Sequence, residues 1–244
     1  KLLVLIDGRS VYTPLFSGVY WDIQTLPVEL IDRIEVIRGP GGSIWGSNAF
    51  NGIINVITKS AAETEGLDLR VGGGTLDQGY GYSSFGGVWG EDTHYRLTAK
   101  WLTRDAAKQS GNNLEHQQQS VFHTGLRIDH VIDARTKVTV DGNIGVSRNR
   151  YTNTGPTIAD LVFGLPNSAD NTIFEKTNAN VRAKWTRALD NRAELTIQAY
   201  YDYAELSTQE QRSTGELSLH NSFFLNDQNH ITWGGQFRVV NSNY

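Results

Sequence analysis

The segment Gly39-Pro40-Gly41-Gly42-Ser43 is the first place where this sequence could bind a phosphate. Gly-rich loops bind phosphates when they end in Gly-Lys-Ser or Gly-Lys-Thr and open a helix whose N-terminal amides point at the ligand. This segment lacks that ending, and no long helical pattern follows it. The residues therefore predict a tight turn between two strands, in which glycine allows positive φ and proline fixes the bend.

Histidines are the other residues that could support metal or acid–base chemistry. None stands at the i, i+4 helical spacing of a zinc protease, and none is joined by carboxylates in a metal-ligand pattern. His123 and Asp129 would share one face of a strand, but no serine nucleophile accompanies them. We therefore predict no catalytic residue, no metal site and no cofactor. The six histidines are His94, His116, His123, His130, His220 and His230.

Long alternating segments begin after Lys59 and must position whatever the chain binds. In residues 94–102 the apolar side chains fall on one face, and Arg96, Thr98 and Lys100 fall on the other. A period of two is the signature of β-strands. We count about nine such strands from Leu67 onward. The same alternation recurs in residues 137–146, 178–186, 194–203, 216–225 and 230–240.

The connections between these strands also alternate, short polar turns with the longer polar stretches 105–117 and 149–171. Short turns at one end and long loops at the other are typical of outer-membrane barrels. A soluble β-sandwich or propeller would show the same alternation on one face of each strand. Charges deep inside the strands, such as Arg182 and Lys184, and aromatic residues near strand ends, such as Trp89, favour the membrane barrel.

Composition excludes other classes of protein. The net charge is −4, which disfavours a nucleic-acid partner. The mean hydropathy is −0.39, and no apolar run reaches the roughly 18 residues of a transmembrane helix. The chain has no Cys, which fits an envelope protein, and no Met. We expect an internal segment of a longer protein, truncated at both ends.

The region from Val4 to Lys59 contains three motifs in a fixed order. In this order and spacing they resemble the second half of the plug domain of TonB-dependent outer-membrane receptors. The resemblance implies a mainly β membrane barrel with an α+β plug, of which this chain holds about nine of roughly 22 strands and half of the plug. The implied division is plug in residues 1–60, linker in 61–66 and barrel in 67–244. The motifs are Val4-Leu5-Ile6-Asp7-Gly8, then Ile31-Asp32-Arg33-Ile34-Glu35-Val36-Ile37-Arg38-Gly39-Pro40, and last Gly46-Ser47-Asn48-Ala49 with Gly52-Ile53-Ile54-Asn55-Val56-Ile57-Thr58.

The same resemblance implies TonB-dependent active transport of a scarce nutrient across the outer membrane of a Gram-negative bacterium. A ferric siderophore is the default substrate, and cobalamin, haem, nickel chelates and oligosaccharides are the alternatives. The implied partners are the inner-membrane TonB complex, whose contact segment we expect to lie outside this chain, a metal-chelate ligand and outer-membrane lipid. Outside this class, the open hypotheses are a structural or adhesive barrel without a plug and an outer-membrane enzyme.

Arg33, Glu35 and Arg38 are the charged members of an otherwise apolar segment. The resemblance implies that they tie the plug to the barrel wall, where charged side chains on the inner faces of the barrel strands would be their partners. The other interpretation is that they are solvated side chains at alternate positions of a strand. The expected wall partners are Arg96, Asp141, Arg182 and Asp202.

Residues 12–21 form an aromatic and apolar segment that contains Pro14 and Gly18. By resemblance it corresponds to an apex loop of the plug that points to the extracellular side. Phe16, Tyr20 and Trp21 are then the candidate ligand-binding residues, since stacked aromatic rings suit a planar chelate or macrocycle. The alternative, that the apolar side chains of this segment pack against the barrel wall, stays open.

Overall fold

The computed structural model describes residues 2–13, 18–39, 49–105, 116–153, 170–190, 192–206 and 210–243. In these residues thirteen strands form two sheets, one of four strands and one of nine. We call them the small sheet and the large sheet. Phe16 and the motif residues 40–48 lie outside the described residues. The three helical elements of the described ranges are single 3-10 turns, and no helix there is long and apolar enough to cross a membrane.

The small sheet contains β1 (Leu2–Ile6), β2 (Arg9–Ser10), β3 (Ile31–Arg38) and β4 (Gly52–Thr58). Its order is β2-β1-β4-β3, with β1 and β4 parallel and the other neighbours antiparallel. Apolar side chains on both faces of β1 and β4 are buried, as expected for β-branched strands covered on two sides. Two clusters form this core: Leu3, Leu5, Ala49 and Ile53 on one face, and Val4, Ile6, Val11 and Val56 on the other.

The turn between β1 and β2 consists of Asp7 and Gly8. Ile6 pairs with Arg9 across it, and both turn residues have positive φ, 50° for Asp7 and 82° for Gly8. Two-residue hairpins prefer turns of this kind because their twist matches that of the strands, and Asp-Gly is a favoured pair for them. The turn therefore places the carboxylate of Asp7 at the tip of the hairpin, facing the large sheet.

The large sheet is an antiparallel meander in which every strand pairs with its neighbour in sequence. This architecture confirms the mainly β fold and the count of nine barrel strands. Strands of 12 to 21 residues make up all of it except β5, which has seven. The strands are β5 (Gly66–Gly72), β6 (Asp77–Trp89), β7 (Thr93–Arg104), β8 (His116–Asp133), β9 (Thr136–Asn153), β10 (Asp170–Asp190), β11 (Ala193–Leu206), β12 (Glu210–Asn226) and β13 (Asn229–Asn243).

The two faces of the large sheet differ in polarity as the alternating sequence predicts. On β9 the apolar side chains point outward, and Val140 and Ile144 are 38% and 52% exposed. On the opposite face Asp141 is buried, 9% exposed, under the small sheet. An apolar outer band with polar inner residues is the pattern of a membrane barrel. The structure is therefore a partial barrel wall with the small sheet on its concave side.

The connections distinguish two ends of the wall. The turns after Trp89, Asp133, Asp190 and Asn226 span two or three residues and lie at one end, which we call the short-turn end. The connection of residues 73–76 lies at the opposite end, and so do the strand ends Arg104, His116, Asn153, Asp170, Leu206 and Glu210. The predicted polar stretches 105–117 and 149–171 were too wide, because β8, β9 and β10 extend into them.

Gln236 and Phe237 are neighbours at the middle of β13. Substituting them in the complete protein tests which face of the large sheet points inward and which points outward. Gln236 lines the cavity beside the small sheet, and Phe237 is 71% exposed on the outer face. We expect Phe237→Lys to lower the free energy of unfolding in lipid vesicles by about 2–4 kcal/mol, because a charge at mid-depth faces hydrocarbon. Gln236→Lys is the matched control and should cost under about 1 kcal/mol. Equal losses for the two variants would contradict the assignment.

Candidate functional site

The interface between the two sheets is polar and is centred on the turn residue Asp7. Its carboxylate accepts hydrogen bonds from the backbone N–H of Thr58, at 2.9 Å, and from the Thr58 hydroxyl, at 2.7 Å. Arg182 of β10 reaches toward it, with Nη2 3.9 Å from Oδ2, and pairs at the same time with Asp141 of β9. Buried charges need such partners because desolvation of an unpaired ion is costly. The turn is thus held in the wall by electrostatics.

Arg9, two residues further along, forms the most buried ion pair between the sheets. Its guanidinium pairs with Asp202 of β11, and the two side chains are only 8% and 10% exposed. A buried pair of this kind contributes little net stability against an apolar replacement, but the loss of one partner leaves an uncompensated charge. The pair therefore fixes the position of β2 against β11 more than it adds to stability.

Residues 11–25, which we call the apex segment, run from β2 along the wall. Thr13 and Gly18 form an isolated bridge, with a hydrogen bond of 2.8 Å from Thr13 N to Gly18 O. The Thr13 hydroxyl donates to Glu210 of β12 at 3.2 Å. Further on, Asp22 pairs with Lys176 of β10. These wall residues lie in the halves of β10 and β12 nearest the opposite end, so the apex segment is attached there.

A 3-10 turn at Trp21–Ile23 presents the aromatic residues of the apex segment. Ile23 is buried against Ala204 and Leu206 of β11, and Tyr20 packs on the same cluster. Trp21 points away from this cluster and is 57% exposed. The structure therefore separates two of the candidate ligand-binding residues: Tyr20 has a packing role, and Trp21 has a free surface.

Close approach of the apex segment to the wall requires a glycine at position 145 of β9. A Cβ added to Gly145 would overlap the Thr25 hydroxyl and the side chain of Asn178. The Thr25 hydroxyl hydrogen-bonds Nδ1 of His123 at 3.1 Å, and His123 is 2% exposed. His123 of β8 is therefore a buried contact of the apex segment.

Arg33 and Glu35 hydrogen-bond each other at 2.9 Å, and Arg33 also bonds Asp32 at 2.7 Å. Hydrogen bonds from Arg33 hold the pKa of Glu35 below its ordinary value. Arg33 lines the cavity between the small sheet and the wall, whereas Arg38 is exposed at the end of β3. The proposed role of Arg33, Glu35 and Arg38 as contacts to the wall stays a prediction.

The chemistry of this interface is that of reversible attachment. Its groups are arginine–carboxylate pairs, hydroxyls and backbone amides, and several of them, such as Arg9 with Asp202, are bonded across the two sheets. In the described ranges no three His, Asp or Glu side chains lie close enough to hold a metal ion. The arrangement can hold the small sheet inside the wall and release it in steps.

Comparison with known proteins gives matches to the N-terminal part of the chain, which contains the apex segment. Residues 1–53 match the family model described as TonB-dependent Receptor Plug Domain. The vitamin B12 transporter BtuB of Vibrio vulnificus (strain CMCP6) is 40% identical over 75 residues, which are 31% of this chain and 12% of that protein. BtuB of Vibrio cholerae serotype O1 (strain ATCC 39541) is 38% identical over 77 residues, 32% of this chain and 12% of that protein.

Solved structures match nearly the whole chain. The ferric-catecholate import receptor Fiu from E. coli K12, in its closed form, superposes with a TM-score of 0.69 at 12% identity, over 98% of this chain and 39% of that one. The siderophore receptor PirA from Acinetobacter baumannii gives 0.68 at 14% identity, over 98% of this chain and 40% of that one. The plug match and these receptor folds together support a fragment of a TonB-dependent receptor. The small sheet corresponds to the plug of these receptors, and the large sheet corresponds to part of their barrel.

The sequence predicted the wall residues of the plug–wall contacts but not their partners on the plug. Asp141, Arg182 and Asp202 were expected on the inner wall, and they are there. Their plug partners in the structure are Asp7 and Arg9, which the sequence argument did not single out. The available signal was the pair of charges flanking Gly8 immediately after the apolar strand β1, where a hairpin tip must meet its surroundings.

A double-mutant cycle on Arg9 and Asp202 tests the attachment. Arg9→Met should lower the free energy of opening at the Val11 amide, which donates to the Val4 carbonyl, by about 3–5 kcal/mol, because Asp202 stays buried and unpaired. The double variant Arg9→Met with Asp202→Leu should recover most of this loss. Hydrogen exchange of the complete receptor gives the free energies.

Arg104→Met is the matched control for this cycle, because its pair with Asp77 is about half exposed, 45% for each side chain. An exposed pair contributes about 0–1 kcal/mol, so the control should leave the exchange of Val11 unchanged. Additive effects of the two substitutions in the cycle would show that Arg9 and Asp202 do not interact.

Proposed function

We propose that the receptor containing this chain imports a metal chelate, in the first place a ferric siderophore, across the outer membrane with energy supplied through TonB. The family supports nutrient transport in general. The chain spans 12% of the length of the BtuB proteins that it matches and about 40% of the solved receptors, so substrate and partners are part of this proposal. Ferric-siderophore uptake is favoured because it is the commonest role of the family.

The observation that carries the proposal is the exposed ring of Trp21 on an apex segment attached at the opposite end of the wall. Short turns of outer-membrane barrels face the periplasm, so the opposite end faces the cell exterior. An incoming ligand would meet Trp21 first. An exposed aromatic surface beside charged side chains offers stacking to a chelate together with hydrogen bonds.

Ligand binding and plug release share the same contacts in this proposal. A ligand on the apex segment would displace or shift the hydrogen bonds from Thr13 to Glu210 and from Lys176 to Asp22. The pair of Lys176 and Asp22 is partly hydrated and contributes about 0–1 kcal/mol, so its loss is small beside the work available from an energised partner. The buried pair of Arg9 and Asp202 would resist movement until TonB acts.

The domain division and the cellular location belong to the same proposal. We infer a plug in residues 1–60, a linker in 61–66 and barrel from residue 67 in a Gram-negative outer membrane. Strand β4 ends at Thr58 and β5 begins at Gly66, with a 3-10 turn at Ala62–Thr64 between them, which supports this division. The apolar outer face supports contact with lipid.

A cobalamin receptor is the second candidate, because the curated relatives with 38–40% identity are vitamin B12 transporters. The two candidates differ in the nutrient that the complete receptor supplies. A strain that depends on it for iron should grow on ferric siderophores under iron limitation, and deletion of tonB should abolish that growth. Growth on cyanocobalamin in a vitamin-dependent strain, without iron uptake, would favour the second candidate.

Substitution of Phe16, Tyr20 and Trp21 by Ala tests the binding surface in whole cells. Aromatic contacts are worth about 0.5–1.5 kcal/mol each beyond area burial, so the triple variant should bind the imported chelate about tenfold or more weakly. The measurement is ligand affinity at equal amounts of folded receptor, and barrel assembly should survive.

Two controls sharpen this measurement. Trp89→Ala removes an exposed tryptophan, 77% exposed, beside a turn at the short-turn end, and should leave affinity unchanged. Single Ala variants should show a larger effect for Trp21 than for Tyr20, because Tyr20 packs on Ile23 and Leu206. Unchanged affinity in the triple variant would move recognition to the polar stretches 105–117 and 149–171.

A further inference from the structure

The segment of residues 58–65, which we call the junction, leads from the plug into β5. Arg96 of β7, only 4% exposed, lies beneath it. Its Nη1 donates to the carbonyl oxygens of Lys59, at 2.8 Å, and Ser60, at 3.4 Å, and lies 3.4 Å from the hydroxyl of Thr64. One buried cation thus contacts three acceptors of the junction, and its loss would remove the hydrogen bond to the buried side of the Lys59 carbonyl.

A second set of contacts comes from β8. Arg127 Nη1 donates to the Thr58 hydroxyl at 3.0 Å, and its Nε donates to Asp129 at 2.8 Å. The same carboxylate oxygen, Oδ2, also accepts from the backbone N–H of Ala61, at 2.6 Å, and Oδ1 accepts from the Thr139 hydroxyl, at 2.7 Å. Hydrogen bonds to charged groups are stronger than neutral ones, and a fully connected network is costly to open.

The junction also lies directly on the wall. A Cβ added to Gly86 of β6 would overlap the carbonyl oxygen of Thr64. Ala61 is fully buried, and Glu65 hydrogen-bonds His94 of β7 at 2.8 Å. Backbone can approach a strand this closely only where the strand has no side chain in the way. The wall is therefore shaped to receive the junction.

We propose that Arg96, Arg127 and Asp129 are positioning residues that keep the junction bound to β6–β8 throughout transport. The apex segment and β2 are then the parts of the plug that leave the wall. The movement of the plug during transport rests on the proposed function, whereas the attachment of the junction to the wall does not depend on it.

Two disulfide locks in the complete receptor test which part of the plug moves. The chain has no Cys, so each introduced pair is unique within it. The junction lock, Glu65→Cys with His94→Cys, replaces a direct hydrogen bond by a covalent one and leaves Arg96, Arg127 and Asp129 in place. The apex lock is Thr13→Cys with Glu210→Cys, which replaces the direct hydrogen bond between these two side chains.

Uptake of a radiolabelled ferric catecholate, with cyanocobalamin as a second probe, is measured in oxidised and reduced cells. The oxidised junction lock should keep the rate within about twofold of the unmodified receptor. The oxidised apex lock should lower it at least tenfold, with recovery on reduction. A junction lock that blocks uptake, or an apex lock that leaves it intact, overturns the proposal.

Hydrogen exchange tests the anchor without any ligand. The Ala61 amide should exchange at least a hundredfold more slowly than the Thr13 amide in mild denaturant. Arg96→Met should speed exchange at Ala61 about tenfold or more, Arg96→Lys should speed it less, and Arg104→Met on the same strand should not change it. Equal exchange at Ala61 and Thr13 in the unmodified receptor overturns the anchor.

The exchange result keeps the two proposals distinguishable. If neither probe is taken up by the unmodified receptor, the transport proposal fails for these substrates while exchange still decides the anchor. If uptake occurs, Arg96→Met should leave the affinity for the chelate unchanged and lower the maximal uptake rate per folded receptor at least threefold. A change in affinity alone would assign Arg96 to ligand binding and contradict a positioning role.

Discussion

The structure depends on one constraint, that a barrel wall with an apolar outer face must satisfy the polar groups on its inner face. Each strand alternates, so outward residues such as Ile144 come with inward residues such as Asp141. An inward charge without a partner would be costly once the plug covers it. The plug therefore supplies counter-charges and hydrogen bonds rather than an apolar core. This explains why the interface is polar although each sheet is built around apolar strands.

Attachment by charges and hydrogen bonds has a mechanical consequence. An interface held by apolar area loses its stability only when a large surface separates, whereas separate polar contacts can be broken one at a time. The receptor has two such groups of contacts at opposite ends of the plug. Arg9 and the apex segment attach to β10–β12, and the junction attaches to β6–β8. Movement can thus begin at one group while the other still holds the plug inside the barrel.

Glycines at the interface serve the same constraint. Gly86 and Gly145 stand where backbone or hydroxyl groups of the plug touch the wall, and neither position has room for a side chain. Asp7 and Gly8 adopt positive φ so that the hairpin tip can turn toward Arg182. The contacts are therefore set by backbone geometry as much as by charge.

The sequence by itself determined the class of fold and much of the wall. The period of two over residues 94–102 and 137–146 depends only on the strand's geometry, which turns successive side chains to opposite faces. It therefore predicted which of Val140 and Asp141 would face inward. The order of the plug motifs predicted the family for a similar reason, since turns and apolar strands are determined by residues that are close together in the sequence.

Only the tertiary structure decided which groups meet across the interface. Arg33 and Arg9 have the same chemistry, and nothing local distinguishes them. Arg9 reaches Asp202 because β2 lies beside β11, whereas the ion pairs that Arg33 forms are with Asp32 and Glu35 beside it. The junction contacts of Arg96 and Asp129 likewise join residues more than 30 positions apart. Strand alternation is determined by neighbouring residues. The pairings across the interface depend on where the two sheets pack, and no local sequence pattern determines that.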